Sequence, residues 1–363
     1  MRYLDKITKL QVEIGNFCNA DCLGCVRTSE LAKSRIKYDG HFFVEPDAFT
    51  NILSSKAGQN IQEIEFCGNI DEPLAHPRFL EILDAIYVQN PDLIISIHTN
   101  GSTKTIPFYK ELGERICKFN KKSRVRFSID GHADSVWLYR GLKNYDQIIK
   151  HAQTCIDTGA GCVWQMLSFP WNEHEVDSCE ELSIQMGFKR FALRRDRSAA
   201  SEKSVKQIKK YRKNVIPNKY FNHEQLINDE FINFVEKELW QKYITWDIKH
   251  KDIDCHFSNE GMIFIDHKSR VWPCCFLANP EMRSRVHKTE SYLKQDKIYG
   301  KDWNNLTKHS FDEILNGDYY SYDIVDSWSK DSTLSSGCHT MCRKQCSAKS
   351  IPIGKHLKVS ENA

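Results

Sequence analysis

Six short runs rich in β-branched and aromatic residues recur along this 363-residue chain at intervals that leave room for a helix between them. They are Lys9–Gly15, Ile61–Gly68, Asp92–Gly101, Arg124–Gly131, Gly161–Phe169 and Phe188–Arg195. Between them, Arg78–Val88, Tyr145–Thr158 and Glu175–Met186 carry apolar residues at helical spacing. Strand, helix, strand repeated in this way predicts an α/β chain with a parallel sheet and right-handed crossovers, either an open doubly wound sheet or a barrel. Both architectures bind ligands outside the carboxyl ends of the strands, where the connecting loops gather.

The polar and glycine-containing signatures of the chain fall at those ends. "NFCNADCLGC" follows the first run, "CGNIDEP" follows the second, "HTNG" closes the third and "SIDG" the fourth, while Gln165 and Arg194 come late in the fifth and sixth. A Lys-, Asn- and Glu-rich stretch over 198–254 reads as a helical bridge from a first unit, 1–197, to a smaller second one, 255–350. In that second unit the alternating "GMIFIDHKSRVWPCC", Gly261–Cys275, predicts a hairpin turning at His267–Ser269. Residues 351–363 read as a loose tail.

A formal net charge of +3, from 51 basic and 48 acidic residues, gives no electrostatic footprint for nucleic acid or an anionic membrane. The amino terminus lacks the apolar core of a signal peptide and no apolar run is long enough to span a bilayer, so a cytoplasmic monomer is expected. In a reducing compartment the fourteen cysteines read as metal ligands, reactive thiols or small hydrophobes before disulfides. Cys67, Cys117, Cys155, Cys162 and Cys179 lie in apolar or helical settings and are expected to be buried thiols.

Cys18, Cys22 and Cys25 stand apart, spaced C-x3-C-x2-C on one loop. Their thiolates are soft donors suited to zinc or iron–sulfur clusters, and a closed zinc site would want a fourth ligand that nothing nearby supplies. The motif "CNADCLGC" resembles the signature of the radical S-adenosylmethionine (radical SAM) superfamily. The resemblance implies a partial (β/α)6 TIM-like barrel and a [4Fe–4S] cluster held by Cys18, Cys22 and Cys25, with SAM chelating the open iron. It further implies reductive cleavage of SAM to a 5′-deoxyadenosyl radical that abstracts hydrogen from substrate, with an external one-electron donor such as flavodoxin or ferredoxin.

The later strand ends resemble the rest of that family's SAM site. "GNIDEP", with Gly68, Asn69, Asp71 and Glu72, resembles the glycine- and acid-containing motif that engages the SAM ammonium, but Asp71 stands where a glycine is usual. That leaves Glu72 or a backbone carbonyl as the ammonium partner. "TNG", with Thr99 and Asn100, and "SIDG", with Ser128 and Asp130, resemble the motifs facing the methionyl and ribose parts; a satisfied strand end with a helix cap explains Ser128 and Asp130 otherwise. Arg140 resembles the arginine that pairs with the SAM carboxylate, or else makes a surface salt bridge. Gln165 is placed to read adenine or ribose, and Arg194 with Arg195 to clamp an anionic substrate group.

Cys255, Cys274, Cys275, Cys338, Cys342 and Cys346 resemble the cysteine set of SPASM and Twitch extensions, which hold auxiliary [4Fe–4S] clusters in a small α+β domain. Six are too few for two such clusters and suit one, with Cys255, Cys274, Cys342 and Cys346 as first choice and Cys338 and Cys275 as rivals. Four cysteines hold zinc equally well. The resemblance implies an oxidoreductase-type enzyme acting on a small molecule or a peptide. The first strand begins within about ten residues of Met1, leaving no room for a leader-binding module, which favours the small molecule. The rival from another class is a non-enzymatic zinc protein whose Lys-rich bridge docks RNA or a protein partner.

Overall fold

The computed structural model describes residues 7–22, 25–28, 37, 40–169, 171–195, 253–278, 292–328, 342, 346 and 356–361. All six expected strands are present: β1 (Lys9–Val12), β2 (Glu63–Phe66), β3 (Ile94–Thr99), β4 (Arg124–Ser128), β5 (Cys162–Ser168) and β6 (Arg190–Arg195). They pair in parallel and in sequence order. Helices follow the first five of them: α1 (Pro46–Ser54) after β1, α2 (Phe79–Gln89) after β2, α3 (Ile106–Ile116) after β3, α4 (Val136–Arg140) and α5 (Tyr145–Asp157) after β4, and α6 (Val176–Met186) after β5. This is a partial (β/α)6 barrel, left open because the two edges of the sheet are not paired with each other among the described residues.

Alternation along the strands divides the sheet into two unlike faces. Leu10, Val12, Ile64, Phe66, Ile95, Ile97, Val125, Phe127, Trp164 and Phe191 join the main hydrophobic core with Ile82 and Ile86 of α2, Leu112 of α3 and Ile148 of α5. The residues between them are polar or charged: Gln11, Glu65, Ser96, His98, Arg126, Gln165 and Arg190. Because successive strand side chains point to opposite faces, a period of two places one set under the helices and the other inside the barrel. Burial of the outer set supplies the stability, at about 25 cal/mol per Å2 of apolar surface.

Beyond the barrel, the expected hairpin is formed by β7 (Met262–Ile265) and β8 (Val271–Trp272), preceded by α7 (His256–Asn259). Strand β7 pairs in parallel with β1, so the hairpin extends the barrel's own sheet. Helices α8 (Tyr292–Tyr299), α9 (Phe311–Asn316) and α10 (Ile324–Asp326) follow, and Phe311, Ile314, Leu315 and Ile324 enter the same core. The start of α9 carries a reciprocal cap between Ser310 and Glu313, and Asp312 beside it accepts from the Lys56 and Ala57 amides at 2.9 and 2.8 Å. The tail expected to be loose instead contains β9 (His356–Glu361), which pairs antiparallel with β6. Strand β6 would otherwise be a bare edge, so the gain of ladder hydrogen bonds explains the order there. The bridge expected over 198–254 falls almost wholly outside the described residues.

Candidate functional site

The loop after β1 is pinned before any ligand enters. The Phe17 carbonyl accepts from the Glu72 amide at 2.8 Å, and the Asp21 amide donates to the Arg140 carbonyl at 2.9 Å. Asn100 Nδ2 donates to Asn19 Oδ1 at 2.9 Å, while Asn19 Nδ2 donates to Ser102 Oγ at 2.8 Å. Thr28 Oγ1 donates to the Cys25 carbonyl at 2.8 Å and the Cys22 carbonyl at 3.0 Å, tying off the loop's far end. The cysteine loop is thus fastened to the ends of β2, β3 and the helix after β4.

One cavity opens at the carboxyl ends of the strands. Its walls include Cys18, Cys22 and Cys25 from the first loop, Gly68, Asn69, Asp71 and Glu72 after β2, Thr99 and Asn100 after β3, Ser128, Arg140 and Gln165. Nine of the eleven residues expected at the SAM site therefore meet the three thiols in one place. A larger depression of about 520 Å3, against about 190 Å3 here, lies at the opposite end of the sheet. Its lining is mostly amides and aliphatics, with Asp92 as its single charged side chain.

Two expected residues sit elsewhere. Asp130 is 1% exposed and is not part of the cavity wall; its Oδ1 accepts from the Leu167 amide at 2.9 Å and its Oδ2 lies 2.7 Å from Arg140 Nε. Neither a surface salt bridge for Arg140 nor a helix cap for Asp130 fits: the pair is buried, and Asp130 positions both Arg140 and β5. Arg194 faces Leu167 in the register at the end of β6, outside the cavity wall.

The carboxylates after β2 divide their work. Both Glu72 oxygens are occupied, Oε1 by Thr99 Oγ1 and the Leu74 amide, Oε2 by the Asn100 amide at 2.7 Å. Burial raises the Glu72 pKa to about 7 against the pull of those donors. Asp71 is 6% exposed, and the Gly15 and Ile14 backbone amides approach its carboxylate. Burial first, then the neighbouring Glu13 and Glu72, hold its pKa well above the ordinary value.

Burial also pushes the Cys18 thiol up to about 12, helped by Glu72, and the Cys22 thiol up to about 11, against the pull of Arg140. Cys25 is raised likewise by burial. Without a cation these sulfurs keep their protons; a metal centre supplies the missing positive charge. Among the described residues no three His, Cys, Asp or Glu side chains converge on a point where a single metal ion would sit. A multi-iron cluster makes no such demand, since each thiolate binds a different iron.

The wall also includes Arg27, Cys67 and His98, none of which was expected individually at the site. Cys67 was expected to be buried, yet it is half-exposed to the cavity and accepts from Asn69 Nδ2 at 3.1 Å. Cys117 is exposed, whereas Cys155, Cys162 and Cys179 are buried as expected. Strand alternation would have placed Cys67 and His98 on the inner face, opposite the apolar Phe66 and Ile97.

Cys255, Cys274, Cys275 and Cys346 gather in a second apolar cluster with Phe257, Met262, Phe264 and Trp272, and Cys67 packs against it from the cavity side. The Cys255 and Cys346 thiols hydrogen-bond to each other, which lowers Cys255 to about 7 and raises Cys346. Cys342 is buried and lies, with Cys274, within electrostatic reach of Tyr319. Cys338 lies outside the described residues.

No family model matches the sequence, and no curated protein does. Among solved structures, native anSMEcpe with bound AdoMet is similar at 16% identity over 93% of this chain and 89% of that one, TM-score 0.51. The form with AdoMet and the Kp18Cys peptide gives 15% identity, the same coverage and 0.52. Streptococcus suis SuiB gives 14% identity and 0.48 over 78% of this chain, which spans just 64% of the SuiB chain. At such identities the anSMEcpe matches establish a shared fold. No helix among the described residues is long and apolar enough to cross a membrane.

Proposed function

We propose that this chain is a radical SAM enzyme of the oxidoreductase type. The observation that carries the reading is the meeting, in one cavity, of three thiols from the β1 loop with the acid-bearing β2 loop and the polar ends of β3, β4 and β5. A [4Fe–4S] cluster bound by Cys18, Cys22 and Cys25 would supply one electron to SAM, whose cleavage yields methionine and the 5′-deoxyadenosyl radical that takes a substrate hydrogen. The fold shared with AdoMet-bound anSMEcpe supports the same reading.

The chain's own residues then have distinct tasks. Asp71, buried beside two other acids and approached by backbone amides but by no cation that its electrostatics name, accepts the SAM ammonium, whose charge offsets the cost of its burial. Glu72 gathers the Thr99, Asn100 and Leu74 donors, which supports a positioning role for it beside the ammonium partner. Arg140, oriented by Asp130, presents its guanidinium to the SAM carboxylate. Ser128 and Gln165 offer hydrogen bonds to the ribose and adenine.

Cys255, Cys274, Cys342 and Cys346, with Cys275 and Cys338 as rivals, would hold one auxiliary [4Fe–4S] cluster. The gathering of Cys255, Cys274 and Cys346 in one apolar cluster, with two thiols already hydrogen-bonded, supports this. The substrate is a small molecule or a peptide.

The test is anaerobic reconstitution with iron and sulfide. Two clusters give roughly eight irons per chain, and dithionite with SAM then yields 5′-deoxyadenosine. Cys18→Ala should lower iron to roughly four and abolish that product. A colourless protein that retains zinc, or deoxyadenosine formation that survives Cys18→Ala, would falsify the reading.

A further inference from the structure

The cysteine loop leads into a cation that the fold holds in place. Arg27, two residues after Cys25, is half-buried and forms part of the wall of the cavity that carries the three thiols. Its Nε donates to the Asn16 carbonyl at 3.3 Å. Asn16 is itself 1% exposed and fixed at both ends of its amide, Nδ2 donating to the Gly40 carbonyl at 2.9 Å and Oδ1 accepting from the Phe42 amide at 3.0 Å. A guanidinium anchored on so rigid a support has already lost part of its rotamer freedom, which lowers the cost of ordering it on a ligand.

What Arg27 lacks is a counter-charge. Arg140, the other arginine of the wall, has its Nε 2.7 Å from Asp130 Oδ2. Elsewhere in the barrel Arg78 reaches Glu45 and Glu81, and Arg115 reaches Asp84 and Glu111. Arg27 is paired with no carboxylate among the described residues, and its side chain donates there to the Asn16 carbonyl alone. The thiols do not take up its remaining N–H groups either. Cys18 Sγ accepts from the Ala20 amide at 3.4 Å, and Cys25 from the Arg27 and Thr28 backbone amides. Drawing a charged group partly out of water with no anion beside it is unfavourable, and the unused fork suits bidentate contact with a carboxylate or phosphate.

SAM does not supply that anion. With its ammonium at Asp71 and its carboxylate at Arg140, both charged ends of its amino-acid part are matched, and Arg27 is left over. The same cavity keeps Gln165 Oε1 buried with no hydrogen-bond partner among the described residues, a second polar group that an occupant would satisfy. We infer that Arg27 binds an anionic group of the substrate, carboxylate or phosphate, through its guanidinium fork at the wall of the thiol-bearing cavity. Resting on the radical SAM reading, this narrows the substrate to a small molecule or peptide that carries such an anion within one cavity's width of the carbon that gives up its hydrogen.

The experiment titrates anaerobically reconstituted full-length protein by calorimetry with inorganic pyrophosphate in one arm and succinate in the other, each with and without saturating SAM. At least one anion binds in the presence of SAM, more weakly as sodium chloride rises, and its Kd increases by about tenfold or more in Arg27→Gln. Arg27→Lys, which keeps the charge and loses the fork, falls between, and carries the test alone should Arg27→Gln not fold. The tighter arm names phosphate or carboxylate. Anion binding that vanishes when SAM is added, together with a SAM Kd raised about tenfold in Arg27→Gln by equilibrium dialysis, would assign the arginine to the SAM carboxylate and overturn the inference. It is equally overturned if neither anion binds, or if both bind the two variants as they bind the wild type. Deoxyadenosine formation by the wild type is measured in parallel: formation without anion binding removes this inference alone, and anion binding without formation removes the radical reading alone.

Discussion

Replacing Asp71 by asparagine separates a binding role from a structural one. The carboxylate is 6% exposed, lies beside Glu13 and Glu72, and is approached by the Gly15 and Ile14 backbone amides. Asparagine keeps one oxygen for those amides and relieves a buried acid that burial, Glu13 and Glu72 all disfavour. Thermal stability of Asp71→Asn should therefore equal or exceed that of the wild type. Affinity for SAM should fall, because a hydrogen bond between charged groups is worth about 1.5–3 kcal/mol. That corresponds to roughly 10- to 150-fold in Kd. Equilibrium dialysis of labelled SAM against anaerobically reconstituted protein reads the affinity, and a thermal melt reads the stability. Glu72→Gln is the companion: an amide cannot accept at both oxygens, so the Asn100 or Thr99 bond is lost and the melt itself should drop. A SAM Kd for Asp71→Asn within threefold of the wild type would refute the division of labour between the two acids.

Three further outcomes follow from the same contacts. His76 donates Nε2–H to the Val44 carbonyl at 3.0 Å and accepts from the Arg78 amide on Nδ1 at 3.1 Å, so protonation sets two donors against each other. Its folded pKa lies at about 4, below the ordinary 6.5, so its contribution is complete above pH 6.5 and falls by about 3 kcal/mol in all as pH drops to 4. Urea midpoints of His76→Gln should show a shallower acid slope across that window, and identical slopes would count against the assigned tautomer. Asp130→Ala leaves the Arg140 guanidinium buried without its carboxylate and should cost about 3–5 kcal/mol in urea unfolding, with Asp130→Asn losing less. Gly101→Ala places a Cβ 3.0 Å from Ile148 Cγ2 and Phe127 Cδ1 at a φ of +70°, and should destabilise by about 2 kcal/mol on the same assay. A neutral Gly101→Ala would mean that the "TNG" turn relaxes freely.

Much of the frame was legible because it obeys local rules. The six strands could be read from β-branched runs bounded by glycine, since a strand buried under helices must keep one apolar face. Helix α1 was not anticipated, although Pro46 in its first turn and the buried Phe49, Ile52 and Leu53 are visible afterwards. The order in β9 was invisible: "HLKVSE" carries no apolar run, and its pairing depends on the open edge of β6, a distant fact. At the site, nine of the residues that a motif could nominate lie where the motif implied. Asp130 has a side chain of a type that suits a ribose contact, and its place outside the cavity wall, with its oxygens on Leu167 and Arg140, depends on distant contacts no motif encodes.

What motifs cannot nominate is the inner face, where spacing has no special signature. Arg124, Arg126 and Arg190 read as ordinary polar positions of amphipathic strands, which in an exposed antiparallel sheet would point into water. They acquire meaning once the parallel order turns those positions inward, under a cavity with three thiols at its rim. Apolar burial on the outer face frees the inner one from any duty to hold the fold together. Arg126 illustrates the result: its Nε donates to Ser96 Oγ at 3.0 Å and Glu65 pulls on its charge, so the inner face settles a cation by polar contacts across the sheet rather than by packing.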